Sequence, residues 1–148
     1  SEEERAALAS VVLLQRAAPF ANLSAHDIHQ LYIVSRRLSL EAEAPLLRPG
    51  DPMDALHVVL QGELRLQTRD GTEARYGPGE CVGVTAVPAP HPSEVQLTAC
   101  GLTQVLRIDA HQVADRLPGN HALVMGLLRR YAELLPDTLT EAGRSAGH

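Results

Sequence analysis

The feature that most constrains this sequence is a change in the spacing of its apolar residues. Near both ends of the chain, apolar residues recur at the three-to-four-residue spacing of amphipathic helices. In the middle the spacing falls to two: Leu56, Val58 and Leu60 alternate with other residues, and so do Leu64 and Leu66. Alternation is typical of strands, because successive side chains of a strand point to opposite faces. The sequence therefore predicts a helix, then strands, then a helix.

Turn residues divide the alternating region, which runs from residue 38 to residue 108, into short strands. Glycines stand at positions 50, 62, 71 and 79. The pair Asp70-Gly71 lies between two alternating runs and is a strong hairpin signal, because a tight hairpin turn needs positive φ. Closely spaced strands with such turns predict an antiparallel roll or barrel. We expect a mainly β fold, an eight-stranded antiparallel, jelly-roll-like β-roll with N-terminal helices and a C-terminal helix.

Helical spacing and capping residues place the flanking helices. The first helix is expected from Glu2 to Arg16. Ser24, with Asp27 three residues later, is the expected N-cap of a second helix that ends near Arg37. A third helix is expected from Asn120 to Leu135, because the following proline disfavours its continuation.

The third helix is the expected partner surface. We expect a domain over residues 1–135 and a flexible tail over residues 136–148. The apolar stripe of the helix is wider than a solvated helix would carry, so it packs on the roll or pairs with a second subunit. We predict a homodimer through this helix, or a contact with another domain of a parent protein. The stripe consists of Leu123, Val124, Leu127, Leu128, Tyr131, Leu134 and Leu135.

Charge and composition exclude several classes of function. The 148-residue chain has a formal charge of -5, whereas nucleic-acid binders carry excess Lys and Arg to neutralise phosphates. Aromatic residues make up 3% and Trp is absent, which argues against a base-stacking surface. No apolar run approaches the ~20 residues of a membrane-spanning helix, and the acidic N-terminus is unlike a signal peptide. We expect a cytoplasmic protein whose domain makes no direct contact with nucleic acid.

Two segments of the chain resemble parts of one known family. The stretch from Pro19 to Ser24 is similar to the opening helix of the cyclic-nucleotide-binding domain, found in catabolite activator proteins, kinase regulatory subunits and cyclic-nucleotide-gated channels. The stretch from Arg48 to Leu64 looks like the Gly-Asp turn, strand and Gly-containing hairpin of that family. The resemblance covers roughly residues 17–135 and implies a non-catalytic regulatory or sensor domain. An early departure is Glu43, where the family usually has Gly; a surface turn is expected to absorb it.

The resemblance also implies a loop that binds the cyclic phosphate, and we call its counterpart here, residues 81–95, the cassette loop. In the family this loop begins Phe-Gly-Glu, forms a short helix whose N–H groups face the anion, and ends Arg-Ser/Thr-Ala. The Arg pairs with the phosphate, and the Glu accepts a hydrogen bond from the ribose. Here Val84 stands at the Glu position, Ser93 at the Arg position and Glu94 at the Ser/Thr position. The expected ligand-binding residues of this degenerate loop are Gly83, Val84, Thr85, Ala86, Ser93 and Glu94.

These departures predict no cofactor and no micromolar binding of cAMP or cGMP. A hydrogen bond to a charged group contributes about 1.5–3 kcal/mol, so loss of the Arg lowers affinity on the order of tenfold to a hundredfold. A carboxylate at Glu94, about 4 Å from a phosphate, adds roughly 4 kcal/mol of repulsion at an effective dielectric constant of about 20. Prolines 88, 90 and 92 disfavour a regular helix in the loop. Arg48 and Arg75 are the candidate cations that would have to take the place of the missing Arg.

Two other functions remain open. A true cyclic-nucleotide receptor domain of a transcription regulator has the same fold, with its DNA-binding half outside this chain. A metal-dependent, cupin-like β-roll enzyme needs two His and a carboxylate close together. The seven His include no His-x-His pair: His26 and His29 are expected on a solvated helix face, and His57 is isolated in a strand. Hydrolase motifs are absent, so we predict no catalytic residue and no metal site.

Overall fold

The structure is a computed structural model, and it describes residues 1–17, 20–21, 23–83 and 90–116. Two helices precede a set of short strands, and a third helix follows them. The helices are α1 (Glu2–Arg16), α2 (Ala25–Val34) and α3 (Ala110–Arg116). The strands are β1 (Arg36–Leu40), β2 (Pro45–Leu47), β3 (Pro52–Met53), β4 (Ala55–Gln61), β5 (Leu64–Gln67), β6 (Glu73–Tyr76), β7 (Cys81–Val82), β8 (His91–Pro92), β9 (Gln96–Ala99) and β10 (Thr103–Asp109).

The strands form two facing four-stranded sheets and one small sheet. One sheet has the order β1-β10-β4-β7 and the other has the order β2-β9-β5-β6. Strands β3 and β8 pair separately, and each pairing in the described part of the chain is antiparallel. The two larger sheets supply the eight strands that the sequence predicts, and the short β3–β8 pair adds two more. The prediction of an antiparallel β-roll with helices before and after it is confirmed.

Alternation along the two longest strands, β4 and β10, divides the interior into two cores. Leu56 and Val58 of β4 belong to a cluster with Leu14 of α1 and Ile28 of α2. Val59 belongs instead to a second cluster, whose buried members come from the strands and the loops beside them. One face of the β4–β10 sheet therefore packs on the helices while the other closes the inside of the roll.

Capping residues determine where α1 and α2 begin. The end of α2 is determined by strand pairing with a distant segment of the chain. Ser1 Oγ accepts a hydrogen bond from Glu4 N at 3.2 Å. Ser24 Oγ accepts one from Asp27 N at 3.1 Å, as the sequence predicts. The prediction that α2 ends near Arg37 is wrong: α2 ends at Val34 and β1 begins two residues later. The cause is the pairing of β1 with β10, which is a more distant segment of the chain.

The turn before β2 accommodates Glu43 in a backbone conformation that favours glycine. The φ of Glu43 is 64°, in the left-handed region that other residues rarely adopt. Its N–H donates to Ala99 O at 2.9 Å, and its carboxylate pairs with Arg65 at 3.1 Å. The turn remains at the surface, as expected, so the departure at Glu43 leaves the fold intact.

Several predicted features lie outside the described residues. The expected helix from Asn120 to Leu135 and the tail over residues 136–148 are among them. Within the described ranges, no helix combines the length and the hydropathy needed to span a membrane.

Two glycine turns give a matched test of the roll. We expect Gly62→Ala to lower the free energy of unfolding by about 3 kcal/mol or more. A Cβ there would lie 2.5 Å from Leu102 O and 2.8 Å from Thr103 Cα, and φ is 85°. Gly71 has a similar φ of 89°, but a new Cβ there would meet open space. Gly71→Ala should therefore lower the free energy of unfolding by only about 1–2 kcal/mol. Urea unfolding followed by circular dichroism compares them; equal losses would contradict the close approach at Gly62.

Candidate ligand-binding site

The cassette loop begins at a glycine that the structure requires. Gly83 follows β7 and has φ 94°. A Cβ at this position would lie 2.4 Å from Ala55 O, in the first residue of β4, so the loop can leave β7 this close to β4 only at a glycine. Of the expected site residues, Val84, Thr85 and Ala86 lie outside the described residues. The structure therefore describes the two ends of the loop.

Ser93, at the other end, is buried and its hydroxyl is already engaged. Its Oγ accepts from Val95 N at 3.0 Å and donates to Val95 O at 2.9 Å. Its backbone N–H donates to Asp51 O at 2.8 Å, and its carbonyl accepts from Gly50 N at 2.8 Å. Ser93, which the sequence predicts at the family's Arg position, thus holds the loop to the turn before β3.

Glu94 lies next to a cation that the sequence reading missed. Its Oε2 is 3.7 Å from Arg69 Nε, and the carboxylate-bearing side chain is only 20% exposed. The register of β5 with β9 explains this contact. Gln67 pairs with Gln96, so the β5–β6 turn, which contains Arg69, lies close to Glu94. Arg75, considered earlier as a replacement cation, instead pairs with Glu63 and Glu73.

A small pocket with room for about one water molecule lies beside Gly83 and inside the roll. Four of its residues carry apolar side chains from the second core or its edge: Leu46, Leu47, Met53 and Leu97. Its polar side chains are Asp54, His57 and Arg107, and Pro52 and Ala55 complete the lining with Gly83. The pocket is thus far smaller than a typical small-molecule site.

His57 is the buried polar residue of this pocket. It is 6% exposed, and its Nε2 has no hydrogen-bond partner among the described residues. Burial, and to a smaller extent the nearby Arg107, lower the pKa of His57 to about 4, against the opposing effect of Asp54 and Asp109. The imidazole is therefore neutral at physiological pH.

Arg107 lies opposite His57 in the β4–β10 pairing and connects the pocket to α3. Its Nη2 donates to Asp54 Oδ1 at 3.2 Å and is 3.0 Å from Asp109 Oδ1. Its Nε is buried and has no hydrogen-bond partner in the described part of the chain. Asp54 O accepts from the N–H of Ala110, the first residue of α3, at 2.9 Å. Sequence reading missed this cluster because its members come from separate strands.

The two cysteines and the potential metal ligands are the other reactive side chains that the structure describes. Burial raises the pKa of the Cys81 thiol to about 12, which keeps it protonated and unreactive. Cys100, directly after β9, is half-buried, and Arg75 Nη1 lies 3.8 Å from its Sγ. Within the described ranges, His, Cys, Asp and Glu form no group of three or more that could hold a metal ion.

The family model described as "Cyclic nucleotide-binding domain" matches residues 37–118, which span the roll and α3. A search of the curated proteins found no match.

Solved structures share the fold. The N-terminal domain of a transcriptional regulator from Streptomyces coelicolor A3(2) is 26% identical, with a TM-score of 0.71 over 82% of this chain and 91% of that chain. The sensor domain of the transcriptional regulator DNR from Pseudomonas aeruginosa is 21% identical, with a TM-score of 0.69 over 82% and 85%. The regulatory subunit of a cAMP-independent protein kinase A from Trypanosoma brucei is 17% identical, with a TM-score of 0.72 over 90% and 49%. A triple mutant of that subunit is bound to cAMP in its A site.

The buried, neutral His57 makes stability depend on pH. The pKa of His57 is about 6.5 in the unfolded chain, its ordinary value, and about 4 in the folded state, so the free energy of unfolding should rise with pH between these values. The contribution of His57 to the free energy of unfolding is fully present above pH 6.5. It is lost as the pH falls towards 4, by up to about 3 kcal/mol.

The substitution His57→Gln should reduce the increase of the unfolding free energy with pH. His29→Gln, at an exposed position of α2, should leave this increase unchanged. Urea unfolding at a series of pH values between these limits measures the difference between wild type and each variant. The same slope in His57→Gln and wild type would contradict the burial of a neutral imidazole.

Proposed function

Because the chain belongs to the cyclic nucleotide-binding domain family, we propose that it is a non-catalytic sensor domain whose cassette loop does not hold cAMP or cGMP in the usual way. It acts within a larger protein, through protein contacts or through another ligand. The likeness to a domain of a transcriptional regulator supports a role beside an output domain.

The observation that carries this proposal is the pair of residues at the end of the cassette loop. Ser93 and Glu94 stand where the family has an Arg and a Ser or Thr. The Ser93 hydroxyl is engaged with the backbone of Val95, so it is not a free donor for a phosphate. Glu94 places a carboxylate in the same region.

Arg69 reduces the repulsion from Glu94 without replacing the missing Arg. Its Nε lies 3.7 Å from the carboxylate, and the Arg69 side chain is 77% exposed, so the pair is screened and weak. A phosphate entering this region would compete with Glu94 for Arg69. Arg69 paired with Glu94 therefore attracts an anion more weakly than the buried guanidinium of the family does.

A relative offers a parallel for restoring nucleotide binding. The cAMP-independent subunit from Trypanosoma brucei shares the fold, and the mutant of it that is bound to cAMP carries a Thr-to-Arg and a Val-to-Ala substitution at consecutive positions, with a Glu-to-Ala substitution elsewhere. The same chemistry, a guanidinium followed by a small residue, is what Ser93 and Glu94 lack.

A true cyclic-nucleotide receptor is the second candidate, and Gly83 favours it. This glycine keeps the close approach to Ala55 at the start of the cassette loop, as a working loop would need. The charges at the other end of the loop weigh against this candidate, and a titration decides between the two.

The start of α3 is the element through which the roll can signal. Ala110 N donates to Asp54 O at 2.9 Å, and Asp109, the residue before it, is held by Arg107. Val113 of α3 is buried in the cluster that also contains Ile28 of α2. A change inside the roll at Asp54 or Arg107 therefore reaches the base of α3 directly.

We predict that isothermal titration of the unmodified protein with cAMP or cGMP gives no binding in the micromolar range. Ser93→Arg combined with Glu94→Ser should raise the affinity for cAMP on the order of tenfold to a hundredfold, because it supplies a charge-assisted hydrogen bond and removes a carboxylate. The second substitution also frees Arg69.

The matched control is Ser93→Gln combined with Glu94→Ser, which has a long polar side chain but no added charge. It should gain less than the Arg variant. Micromolar binding by the unmodified protein would overturn the proposal. No gain in the Arg variant would mean that the backbone of the loop, and not its charge, excludes the nucleotide.

We also propose that the chain dimerises through the apolar stripe from Asn120 to Leu135, which lies outside the described residues. Sedimentation equilibrium should show a dimer, and Leu128→Glu should shift it towards monomer, because a charge in an apolar interface is costly. Leu102→Glu, at a 65% exposed position of the roll, is the control and should remain dimeric. A monomeric wild type at high concentration would contradict this assembly.

A further inference from the structure

Helix α1 carries two apolar side chains on the face that turns away from the roll. Leu8 is 66% exposed and Val12 is 39% exposed. The opposite face is held inward, since Leu14 is buried in the core beneath the helices and Arg37 of β1 donates to Ser10 Oγ. Single exposed apolar residues are ordinary, but two that stand four residues apart on a helix are neighbours and form one strip.

Charged residues continue this strip towards both ends of α1. Glu4 precedes Leu8 by four residues, and Arg16 follows Val12 by four. The four side chains therefore share one side of the helix, which we call the outer face of α1. Both charged residues are exposed, the first turn of the helix is acidic, and the last turn carries Arg16. Along the helix, the outer face thus runs acid, apolar, apolar, base.

We propose that the outer face of α1 pairs with the outer face of a second copy of this chain, with the two helices antiparallel. The order acid, apolar, apolar, base is its own complement when it is reversed. A two-fold axis at the height of Ser10 places Glu4 level with the partner's Arg16 along the helix axis. The same axis places Leu8 level with the partner's Val12, as a two-fold symmetric interface requires.

Charge determines the direction of the pairing. Packed helices lie about 8–10 Å apart, so a parallel pair would bring two acidic first turns together. The antiparallel pair instead brings each acidic turn beside the partner's Arg16, and it also opposes the two helix dipoles. A second copy of the chain is therefore the occupant whose charges fit this face.

The size of the outer face sets the strength of the contact. Two apolar side chains per copy bury much less than the roughly 1,200–2,000 Å² of a stable interface, so the pair is weak by itself. A test must therefore capture a short-lived complex. The inference is separate from the proposed sensor function and from the pairing proposed for the stripe between Asn120 and Leu135, because it concerns α1 alone.

Disulfide trapping in the full chain tests the pairing and its direction. The background is Cys100→Ser, and Cys81 is retained because it is buried. Leu8→Cys is made in a chain labelled with nitrogen-15 and Val12→Cys in an unlabelled chain. Equal amounts are mixed, and glutathione disulfide oxidises the paired thiols. Mass spectrometry then separates the mixed disulfide dimer from the two dimers of like chains.

We expect the mixed dimer to exceed the half share of all disulfide dimers that random collision gives. A disulfide needs the two Cα atoms within about 4.4–6.8 Å. In the antiparallel pair, position 8 is level with the partner's position 12, whereas two copies of either position are offset by about 6 Å along the axis. An excess of dimers of like chains would indicate a parallel pair and would overturn the inference.

Charge reversal tests the recognition at the ends of the helix. Glu4→Arg in both chains should lower the share of the mixed dimer, because it places a cation level with the partner's Arg16. Adding Arg16→Glu reverses the order of the charges on the face and should recover that share. Glu3→Arg is the matched control, because it makes the same change of charge in the same turn but lies off the outer face.

Three further outcomes contradict the pairing. The inference fails if the mixed dimer forms no more than half of the product, or if Glu4→Arg and Glu3→Arg have equal effects. It also fails if the mixture is trapped no faster than a Leu102→Cys chain, which reports random collision at a position of the roll that is as exposed as Leu8 (65% against 66%). Circular dichroism of each variant checks that the fold is retained.

Discussion

The pairing of β4 with β10 is the interaction on which the rest of the structure depends. It places Leu56 opposite Ile108, and both side chains pack under the helices. It also places His57 opposite Arg107 on the other face, where both line the pocket inside the roll. One strand pair thus creates the helix-packing core, the interior of the roll and the polar cluster, and β10 leads directly into α3.

Much of the fold was predictable because its signals are local. Apolar alternation and the Asp70-Gly71 turn fix the β5–β6 hairpin from a few adjacent residues, and Ser24 fixes the start of α2. The end of α2 was not predictable in this way, because the residues after Val34 are drawn into β1 by pairing with β10, far along the chain. Helical spacing alone does not report such a pairing.

Sequence alone could predict only those features of the candidate site that depend on the order of residues along the chain. Family resemblance predicts Gly83 at the start of the cassette loop and Ser93 at the Arg position, and the structure shows that Gly83 makes a close approach to Ala55. The resemblance did not reveal that the Ser93 hydroxyl turns back to Val95, or that Arg69 approaches Glu94 from another strand pair. The polar cluster was missed for the same reason: it forms only when β4 and β10 come into register.

The central claim is that the cassette loop no longer holds a cyclic phosphate, and the amide signals at its two described ends test this most directly. Gly83 and Val95 report on the loop, since the first leaves β7 and the second binds the Ser93 hydroxyl. Nitrogen-15 NMR spectra should show both amides unchanged as cAMP is added to millimolar concentration. A saturable shift of both amides at micromolar cAMP would contradict the account.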